Sequence, residues 1–412
     1  MKTTDLTVSV KQALRIIFDS IRPLNSDSVA IMEASNRVLY DDIIADTMVP
    51  PLDDSGMDGY AIIAEDTQGA SKEHPARLQV LGEIQAGASS TGKEVSKGTA
   101  IRIMTGAPIP QGADCVVPVE DTEEESGWVR VFRETARSEN YRFAGESITI
   151  GDKVLCKGDR LTSSNVGMLA SLNRGTVRVY RQPTVSIIST GNELADVGEE
   201  IQFGHIRNVN AYTLYAEVKK YSGLPHYLGI VKDTVSDTRE TFRKALESDV
   251  VISTGGVSMG RYDFVKDILS DLGIDIHFEW VKVKPGRPCT FGTKGDKLIF
   301  GLPGNPVSSL TSFIQFVRPA LLGLMGAKRV RKPVVNAILD EDVKKQPGKM
   351  FFLRGRFTIE NNDFHVSTTG NQRSSVLRSM SDANCLIVLP EDTTQVKAGG
   401  QVAIQLIDHD EI

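Results

Sequence analysis

The segment from Val250 to Asp263 places the strongest constraint on the fold of this chain. A short apolar run ends in a loop of small residues that includes Gly255 and Gly256, and a helical pattern follows until Gly273. Glycine lets a backbone turn tightly and approach a ligand closely. A buried strand that leads through such a loop into a helix can bind anionic groups with backbone N–H donors. We therefore predict that this segment forms one wall of a ligand cleft.

Two other segments share this design, residues 185–193 and residues 298–306. Strands and helices alternate from residue 183 onward, which predicts a mostly parallel, doubly wound α/β domain with helices on both faces. The carboxyl ends of its strands would then meet at one edge, where open α/β sheets bind ligands. Three loops together favour a cleft more strongly than one loop does.

Three acids follow predicted strands in this region: Glu193, Asp233 and Asp263. Carboxylates repel phosphate, but their oxygens suit a divalent cation such as Mg²⁺ that bridges the protein and a substrate phosphate. We predict these three residues as metal ligands and catalytic groups. The alternative for each is a helix cap or a surface charge.

Basic residues gather after a later strand, at Lys282, Lys284 and Arg287. Neighbouring prolines stiffen this segment, and in a chain of formal net charge −6 it indicates a local anion site. The alternative is a solvated strand end. Arg354 and Ser374 are further candidate hydrogen-bond donors to an anion, but the sequence pattern alone does not predict that they lie near the cleft.

Residues 49–61 form a loop rich in proline, glycine and aspartate, and they include Asp58. The loop is either a solvated acidic turn or a rigid segment that presents carboxylates to a metal or to another subunit's cleft. Thr105 lies in a second proline-containing loop, at residues 104–110. Over residues 60–145, short β-rich runs predict an all-β module.

Residues 256–260 match the Gly-x-Ser-x-Gly pattern of serine hydrolases, with Ser258 at the serine position. No histidine stands out as its base, so we interpret Ser258 as a backbone or hydroxyl donor to a ligand. Walker and Gly-x-Gly-x-x-Gly motifs do not occur.

Helix ends are predicted from capping patterns. Ser9 with Gln12 fits a capping box, and so does Asp237 three residues before Glu240. Asn305 is the predicted cap of a long helix with proline at its first position. Pro319 is expected to bend or break that helix.

Composition limits the remaining possibilities. A length of 412 residues predicts two to four domains. The acidic balance argues against nucleic acid as a partner. Four scattered cysteines indicate neither a zinc site nor a disulfide framework. With no continuous apolar run of 18 residues and no apolar signal core, we expect no membrane span and a cytoplasmic location.

Six motifs, in order along the chain, resemble the molybdopterin molybdenumtransferases, the MoeA family that also includes the C-terminal E domain of gephyrin. The motifs are Pro-Pro-Leu-Asp-Asp-Ser-Gly-Met-Asp-Gly-Tyr-Ala (50–61), Arg-Ile-Met-Thr-Gly-Ala-Pro (102–108), Ser-Thr-Gly-Asn-Glu-Leu (189–194), Ser-Thr-Gly-Gly-Val-Ser-Met-Gly (253–260), Lys-Pro-Gly-Arg-Pro (284–288) and Gly-Leu-Pro-Gly-Asn-Pro-Val-Ser (301–308). The resemblance covers essentially the whole chain.

The resemblance implies insertion of molybdenum from molybdate into adenylylated molybdopterin, with Mg²⁺ and release of AMP. It implies a homodimer in which Asp58 and Thr105 reach the cleft of the partner subunit. Molybdopterin adenylyltransferase and apo-molybdoenzymes or their chaperones are the implied protein partners. The implied domains are an elongated dimerisation domain (1–50 and 145–180), an inserted β domain (51–144), an α/β molybdopterin-binding domain (181–328) and a C-terminal β domain (329–412).

On the same resemblance, Lys284, Arg354 and Ser374 match the molybdate and anion site, and Glu193, Asp233 and Asp263 match the acids of the cleft. The remaining predicted substrate contacts are Gly255, Gly256, Ser258, Lys282, Arg287, Pro303 and Asn305.

Two positions depart from the family pattern. Ser147 stands where an acid is usual, and Trp280 stands where a basic residue is usual. A non-catalytic scaffold on the same fold and a nucleotide hydrolase built on the α/β domain are the alternative functions. The motifs do not distinguish molybdate from tungstate.

Overall fold

The computed structural model describes residues 6–232, 234–255 and 264–407, with the backbone alone for residues 264–266. Its centre is a seven-stranded sheet. In spatial order the strands are Thr7–Val8, Asp275–Val281, Pro288–Lys294, Lys297–Leu302, Val250–Thr254, Thr184–Thr190 and Leu224–Val231. The last four are mutually parallel. The predicted mostly parallel α/β sheet is therefore confirmed, with antiparallel strands toward one edge.

Apolar side chains on both faces of this sheet are buried. Ile187 and Ile252 enter one core, while their chain neighbours Ile188 and Val251 enter another. Successive residues of a strand point to opposite faces, so helices must cover both. Val209–Lys220 and the helix after residue 305 cover the first face, and Val235–Ala245 with Phe264–Asp271 cover the second.

Helix starts follow the capping predictions in part. Ser9 accepts from the Gln12 backbone N–H, and the Gln12 side chain accepts from Ser9, so the capping box of helix Val10–Ser20 is confirmed. The box predicted at Asp237 is wrong, because the helix begins earlier and Thr234 caps it by accepting from the Asp237 N–H. Apart from the helix after Asn305, the other α-helices of the described residues are Ser163–Ser171, which Thr162 caps, and Arg378–Ser381. Turns of 3₁₀ helix lie at Ile31–Glu33, Ala64–Thr67 and Val119–Asp121.

The helix after Asn305 consists of Pro306–Ser312, a π-helical turn at Phe313–Val317 and Arg318–Leu324. The π turn is an irregularity within the helix just before Pro319, so the helix is distorted near this proline but does not end there. Asn305 is the N-cap and Pro306 the first helical residue, as predicted, although the Asn305 side chain makes no capping hydrogen bond. Although its polar residues interrupt any continuous apolar run, Pro306–Leu324 is apolar and long enough to cross a membrane; most of it is buried inside the protein.

The first strand and helix of the chain pack against the α/β sheet. Thr7 and Val8 pair with Trp280 and Val281, and Ala13 enters the same core as the sheet. Farther along, three two-stranded ribbons join the N-terminal segment to its return. Their strands are Ser26–Ala30 with Thr176–Tyr180, Ile43–Ile44 with Lys153–Leu155, and Asp54–Ser55 with Tyr141–Arg142.

The inserted module is a six-stranded sheet, as the β-rich runs predicted. In spatial order its strands are Cys115–Pro118, Gly59–Ile62, Thr99–Ile103, Ala76–Ile84, Trp128–Val131 and Thr122–Glu125. Its interior is filled by aliphatic side chains from alternate positions of these strands.

The C-terminal domain is a second six-stranded sheet. In spatial order its strands are Val283–Lys284, Met350–Glu360, Asp363–Thr368, Val334–Leu339, Gln401–Leu406 and Cys385–Leu389. Because Met350–Glu360 also pairs with Cys385–Leu389, the sheet closes on itself in the manner of a barrel. Short ribbons at Leu194–Ala195 with Ile206–Arg207 and at Val343–Lys344 with Gln395–Val396 complete the described strands.

The chain changes sheets at Lys282, between the strands Asp275–Val281 and Val283–Lys284. The Lys282 N–H donates to the Val8 carbonyl of the α/β sheet, while its own carbonyl accepts from Met350 of the C-terminal domain. Lys284 consequently lies at the junction of these two domains.

Candidate active site

The ends of the three glycine-loop strands are joined by hydrogen bonds. The Asn210 amide donates to Thr254 Oγ1 and to the Gly304 carbonyl, both at 2.8 Å. Gly255 has a φ of +81°, and a Cβ at this position would lie 2.3 Å from the Thr190 carbonyl oxygen. Only glycine fits there without displacing backbone. The three loops therefore form one shared edge, as the sequence indicated.

Glu193 lies exposed in the loop that follows the strand Thr184–Thr190. The Ile206 N–H donates to the Glu193 carbonyl at 2.8 Å, and the hydroxyls of Tyr212 and Tyr227 each donate to Asp196 at 2.8 Å. Partial burial opposes ionisation of Asp196, but these two hydrogen bonds, together with one from the Val197 N–H and the attraction of Arg207, lower its pKa. The loop that carries Glu193 is thus anchored to the α/β domain.

An exposed carboxylate on an anchored loop suits an oxygen ligand for Mg²⁺. Glu193 is the one predicted metal ligand within the described residues; Asp233 and Asp263 lie outside them, as do Gly256 and Ser258. In the part of the chain that the structure describes, no three His, Cys, Asp or Glu side chains form a metal-binding group.

Asp58 and Thr105 are in direct contact in the inserted β module. The Thr105 backbone N–H and hydroxyl both donate to Asp58 Oδ1 at 2.7 Å. These hydrogen bonds lower the pKa of Asp58, although both residues are exposed. The other two aspartates of the loop have structural partners, because Asp53 accepts from Tyr141 and Asp54 accepts from Arg142. Asp58 is the aspartate of this loop that is presented outward.

Five of the predicted substrate-binding residues line one cavity of about 940 Å³ between the α/β and C-terminal domains. They are Lys284, Arg287, Asn305, Arg354 and Ser374. The Ser374 carbonyl accepts from the Val307 N–H at 3.1 Å, so the segment that carries Ser374 lies against the start of the helix after Asn305. This docking brings together Val307 and Ser374, which are distant in the chain.

Arg354 is buried, with 1% of its surface exposed. Its guanidinium donates to Ser379 Oγ at 3.2 Å and to the carbonyls of Asn371 and Arg373 at 3.4 Å. Among the described residues, no carboxylate lies within ion-pairing distance of it. Burial lowers its pKa to about 10. A buried cation without a neutralising partner favours binding of an anion in the cavity it faces.

Lys282 and Pro303 do not line this cavity. Lys282 is exposed at the sheet junction, and the Pro303 carbonyl accepts from Thr254 Oγ1 at 3.3 Å beside the glycine loops. The indole of Trp280, which stands at the family's usual basic position, lies under the Arg287 guanidinium, 5.1 Å from ring centroid to carbon. A stacked arginine therefore lies where the sequence suggested a lost positive charge.

Three further cations line the cavity that the sequence did not single out: Lys344, Lys349 and Arg373. The cavity thus has six cationic side chains against two carboxylates, Glu341 and Asp342. Both acids already accept hydrogen bonds from other groups, Glu341 from the Thr368 N–H and Asp342 from Lys397. The three lysines within residues 344–349 could have indicated an anion site from the sequence. Their position beside the cavity, however, depends on how the domains pack.

The chain matches three family models in sequence order. The MoeA N-terminal region (domain I and II) matches residues 8–173, a probable molybdopterin-binding domain matches residues 186–323, and the MoeA C-terminal region (domain IV) matches residues 336–407.

Curated relatives cover nearly the whole chain. A molybdopterin molybdenumtransferase of Staphylococcus epidermidis is 36% identical over 97% of this chain and 96% of its own length. The enzyme of the same name from Haemophilus influenzae is 37% identical over 94% and 95%, and that of Bacillus subtilis is 35% identical over 97% and 94%.

A crystal structure of the molybdopterin biosynthesis MoeA protein from Pyrococcus horikoshii has a similar fold. It superposes with a TM-score of 0.83 at 33% identity and covers 97% of this chain and 100% of its own. The sequence motifs, the multidomain fold and these relatives agree, and the chain therefore belongs to the molybdopterin molybdenumtransferase (MoeA) family of transferases in molybdenum cofactor biosynthesis.

Proposed function

We propose that this chain inserts molybdenum from molybdate into adenylylated molybdopterin and releases AMP in a reaction that depends on Mg²⁺. The observation that carries the proposal is the cavity that Arg354 lines together with Lys284 and Ser374, where the buried guanidinium has no carboxylate partner among the described residues. A tetrahedral oxyanion would supply the missing negative charge.

The cavity favours oxyanion binding for two physical reasons. Its six cations exceed its carboxylates, and burial of Arg354 strengthens each electrostatic contact that an anion makes there. Hydrogen bonds between charged groups are roughly twice as strong as neutral ones, and a guanidinium can direct two of them at one oxyanion. Lys284 would add a point charge from the facing α/β domain. Molybdate and the phosphates of the organic substrate are both anions, so their approach requires such cations.

The glycine loops at the strand ends would hold the phosphate end of the pterin substrate. Gly255 lets this backbone approach closely, and Gly256 with Ser258 would add donors. Glu193, Asp233 and Asp263 would hold Mg²⁺, which when bound withdraws electron density from a phosphate and assists its cleavage. The protein would contribute position and charge rather than a covalent nucleophile.

Asp58 with Thr105 would act on the cleft of the second subunit of a homodimer. Their exposed position on an otherwise hydrogen-bonded loop supports this arrangement. Molybdopterin adenylyltransferase would supply the substrate, and apo-molybdoenzymes or their chaperones would take the product, in the cytoplasm.

The direct test is an AMP-release assay. Purified protein would receive molybdate, Mg²⁺ and adenylylated molybdopterin, and both AMP release and reconstitution of an apo-molybdoenzyme would be followed. We expect both signals, with loss of AMP release in the Asp263→Ala variant. Pterin binding without AMP release would refute the enzymatic proposal and favour the scaffold. An Asp263→Ala variant as fast as the parent would refute the role given to that residue.

The shared cleft has a separate test by subunit mixing. Asp58→Asn and Glu193→Gln homodimers should each be inactive, because every cleft would lack one group. Random exchange of the two should restore about a quarter of parental activity, since mixed dimers have one complete cleft. Recovery that stays at zero after verified exchange would show that Asp58 serves the cleft of its own chain.

A further inference from the structure

A smaller cavity of about 580 Å³ adjoins the Arg354 cavity on the side of the C-terminal domain. We name it the lysine lobe, and it is lined by Lys284, Lys344, Lys345, Gln346, Pro347, Lys349, Phe351 and Thr394. Four of its eight lining residues are lysines, and none is an acid. It shares Lys284, Lys344, Lys349 and Phe351 with the larger cavity, so the two cavities are adjacent.

Lys345 fixes the shape of the lobe. It is 9% exposed, and its ammonium donates to the carbonyls of Lys349 at 2.9 Å and Glu391 at 3.3 Å. These bonds close the turn between residues 345 and 349, which places Lys344 and Lys349 on the cavity wall. The lobe is therefore a folded feature rather than a chance grouping of surface chains.

Phe351 lines both the lysine lobe and the Arg354 cavity. The ammonium of Lys345 lies 4.9 Å from the centre of the Phe351 ring, and that of Lys284 lies 5.1 Å from the same point. The face of an aromatic ring attracts cations, so one ring holds both ammonium groups near the boundary between the cavities.

Among the described residues, the positive charge of the lobe is only partly balanced, because the carboxylate of Asp342, which interacts with Lys344, lies outside the lobe and is already paired with Lys397. Burial lowers the pKa of Lys345, and the attraction of Asp392 and Glu391 does not overcome it. Neither of these acids lines the lobe. Several ammonium groups around one cavity repel one another, and a bound dianion relieves that repulsion.

We propose that the lysine lobe is a second binding site for a tetrahedral dianion, distinct from the site at Arg354. Its ligand is either a phosphate monoester of the organic substrate or a free oxyanion close to the reaction site. Its use in catalysis rests on the proposed function, but binding of the dianion does not.

The test is dianion binding to the full-length protein without any pterin. Equilibrium dialysis with labelled inorganic phosphate, and separately with molybdate, would compare the parent with a Lys344→Gln, Lys349→Gln double variant. These side chains project into the lobe, while Lys345 is left in place to hold the turn. The control is a Lys72→Gln, Lys93→Gln double variant, which makes the same charge change in the inserted β module.

We expect two binding classes in the parent and control. In the lobe variant the Arg354 class should remain but weaken by less than about tenfold, because Lys344 and Lys349 also line that cavity as solvated charges. The lobe class should weaken by at least about tenfold, which equals about 1.4 kcal/mol. An Arg354→Met variant should keep the lobe class. Unchanged binding in the lobe variant, or loss of both classes in Arg354→Met, would overturn the proposal. These binding measurements do not depend on AMP release, so failure of this proposal can be distinguished from failure of the proposed function.

Competition would identify the source of the ligand. Displacement of labelled phosphate from the lobe by AMP indicates a site for a phosphate monoester. Displacement by molybdate without displacement by AMP indicates a site for free oxyanion. Matching thermal unfolding of the parent and the lobe variant would verify that the fold is retained.

Discussion

Substitution of Arg354 by methionine should separate stability from oxyanion binding. Burial lowers the pKa of this side chain from 12.5 to about 10, so the charged form costs about 3 kcal/mol in the empty protein. Its hydrogen bonds to Ser379 Oγ and to two backbone carbonyls return a similar amount, at about 1 kcal/mol each. Methionine fills similar space without charge. The unfolding free energy without ligand should therefore change by only about 1 kcal/mol.

The effect on oxyanion binding should be much larger. Removal of one partner of a buried charged contact costs about 2–5 kcal/mol, which corresponds to a loss of affinity of roughly 30-fold to several thousand-fold. The assay is thermal unfolding with and without molybdate. Molybdate at about 100 times its dissociation constant for the Arg354 site should stabilise the parent by about 2.7 kcal/mol, whereas loss of that site should leave the Arg354→Met variant with less than about 1 kcal/mol of this stabilisation.

Arg373→Met is the matched control, because Arg373 lines the same cavity but is exposed. Its loss should reduce affinity by less than about tenfold, as expected for a solvated charge. The reasoning is refuted if molybdate stabilises Arg354→Met as much as the parent. It is also refuted if the free energy of unfolding of Arg354→Met without ligand falls by more than about 3 kcal/mol, since the buried charge would then be balanced within the protein.

Two stability predictions concern the α/β domain. Burial opposes ionisation of Asp249, but hydrogen bonds from Arg181 at 2.7 Å and from Thr184 lower its pKa. The contribution of the Asp249 carboxylate to the free energy of unfolding should therefore be present above its unfolded pKa and lost as pH falls through the lower folded pKa. Asp249→Asn should accordingly cost about 2 kcal/mol at pH 7 and less in acid, and equal losses at both pH values in denaturant titrations would contradict this. Gly255→Ala should cost about 3 kcal/mol or more, because its Cβ would meet the Thr190 carbonyl at a positive φ. The control Gly92→Ala, at a similar φ with open space around it, should cost only about 1 kcal/mol by the same measurement.

Local patterns in the sequence predicted much of the α/β domain. The strand Thr184–Thr190 was recognisable because its buried run ends at a glycine loop, and the same pattern identified Val250–Thr254. Fully buried parallel strands are apolar on both faces, so composition alone marks them. Helix ends were less predictable at Asp237, because Thr234 offered a competing cap one turn earlier.

The C-terminal strand Gln401–Leu406 was missed. It lies at the end of a β domain whose order of pairing joins distant segments, and its alternating pattern is short. The change of sheets at Lys282 was missed as well, because a continuous alternating pattern gives no sign that its hydrogen bonds pass to another domain.

The sequence by itself determined the fold class, the family resemblance and the identity of Lys284, Arg354 and Ser374 as anion-site candidates. Only the tertiary structure decided that these residues share a cavity, because two of them lie in a domain that docks against the α/β domain. It also decided that Arg354 is buried without a carboxylate partner among the described residues and that Lys344 and Lys349 face the same space. The sequence gives the sign of each side-chain charge. The strength of an anion site also depends on desolvation and on the distances between charges, and these are set only when the domains pack together.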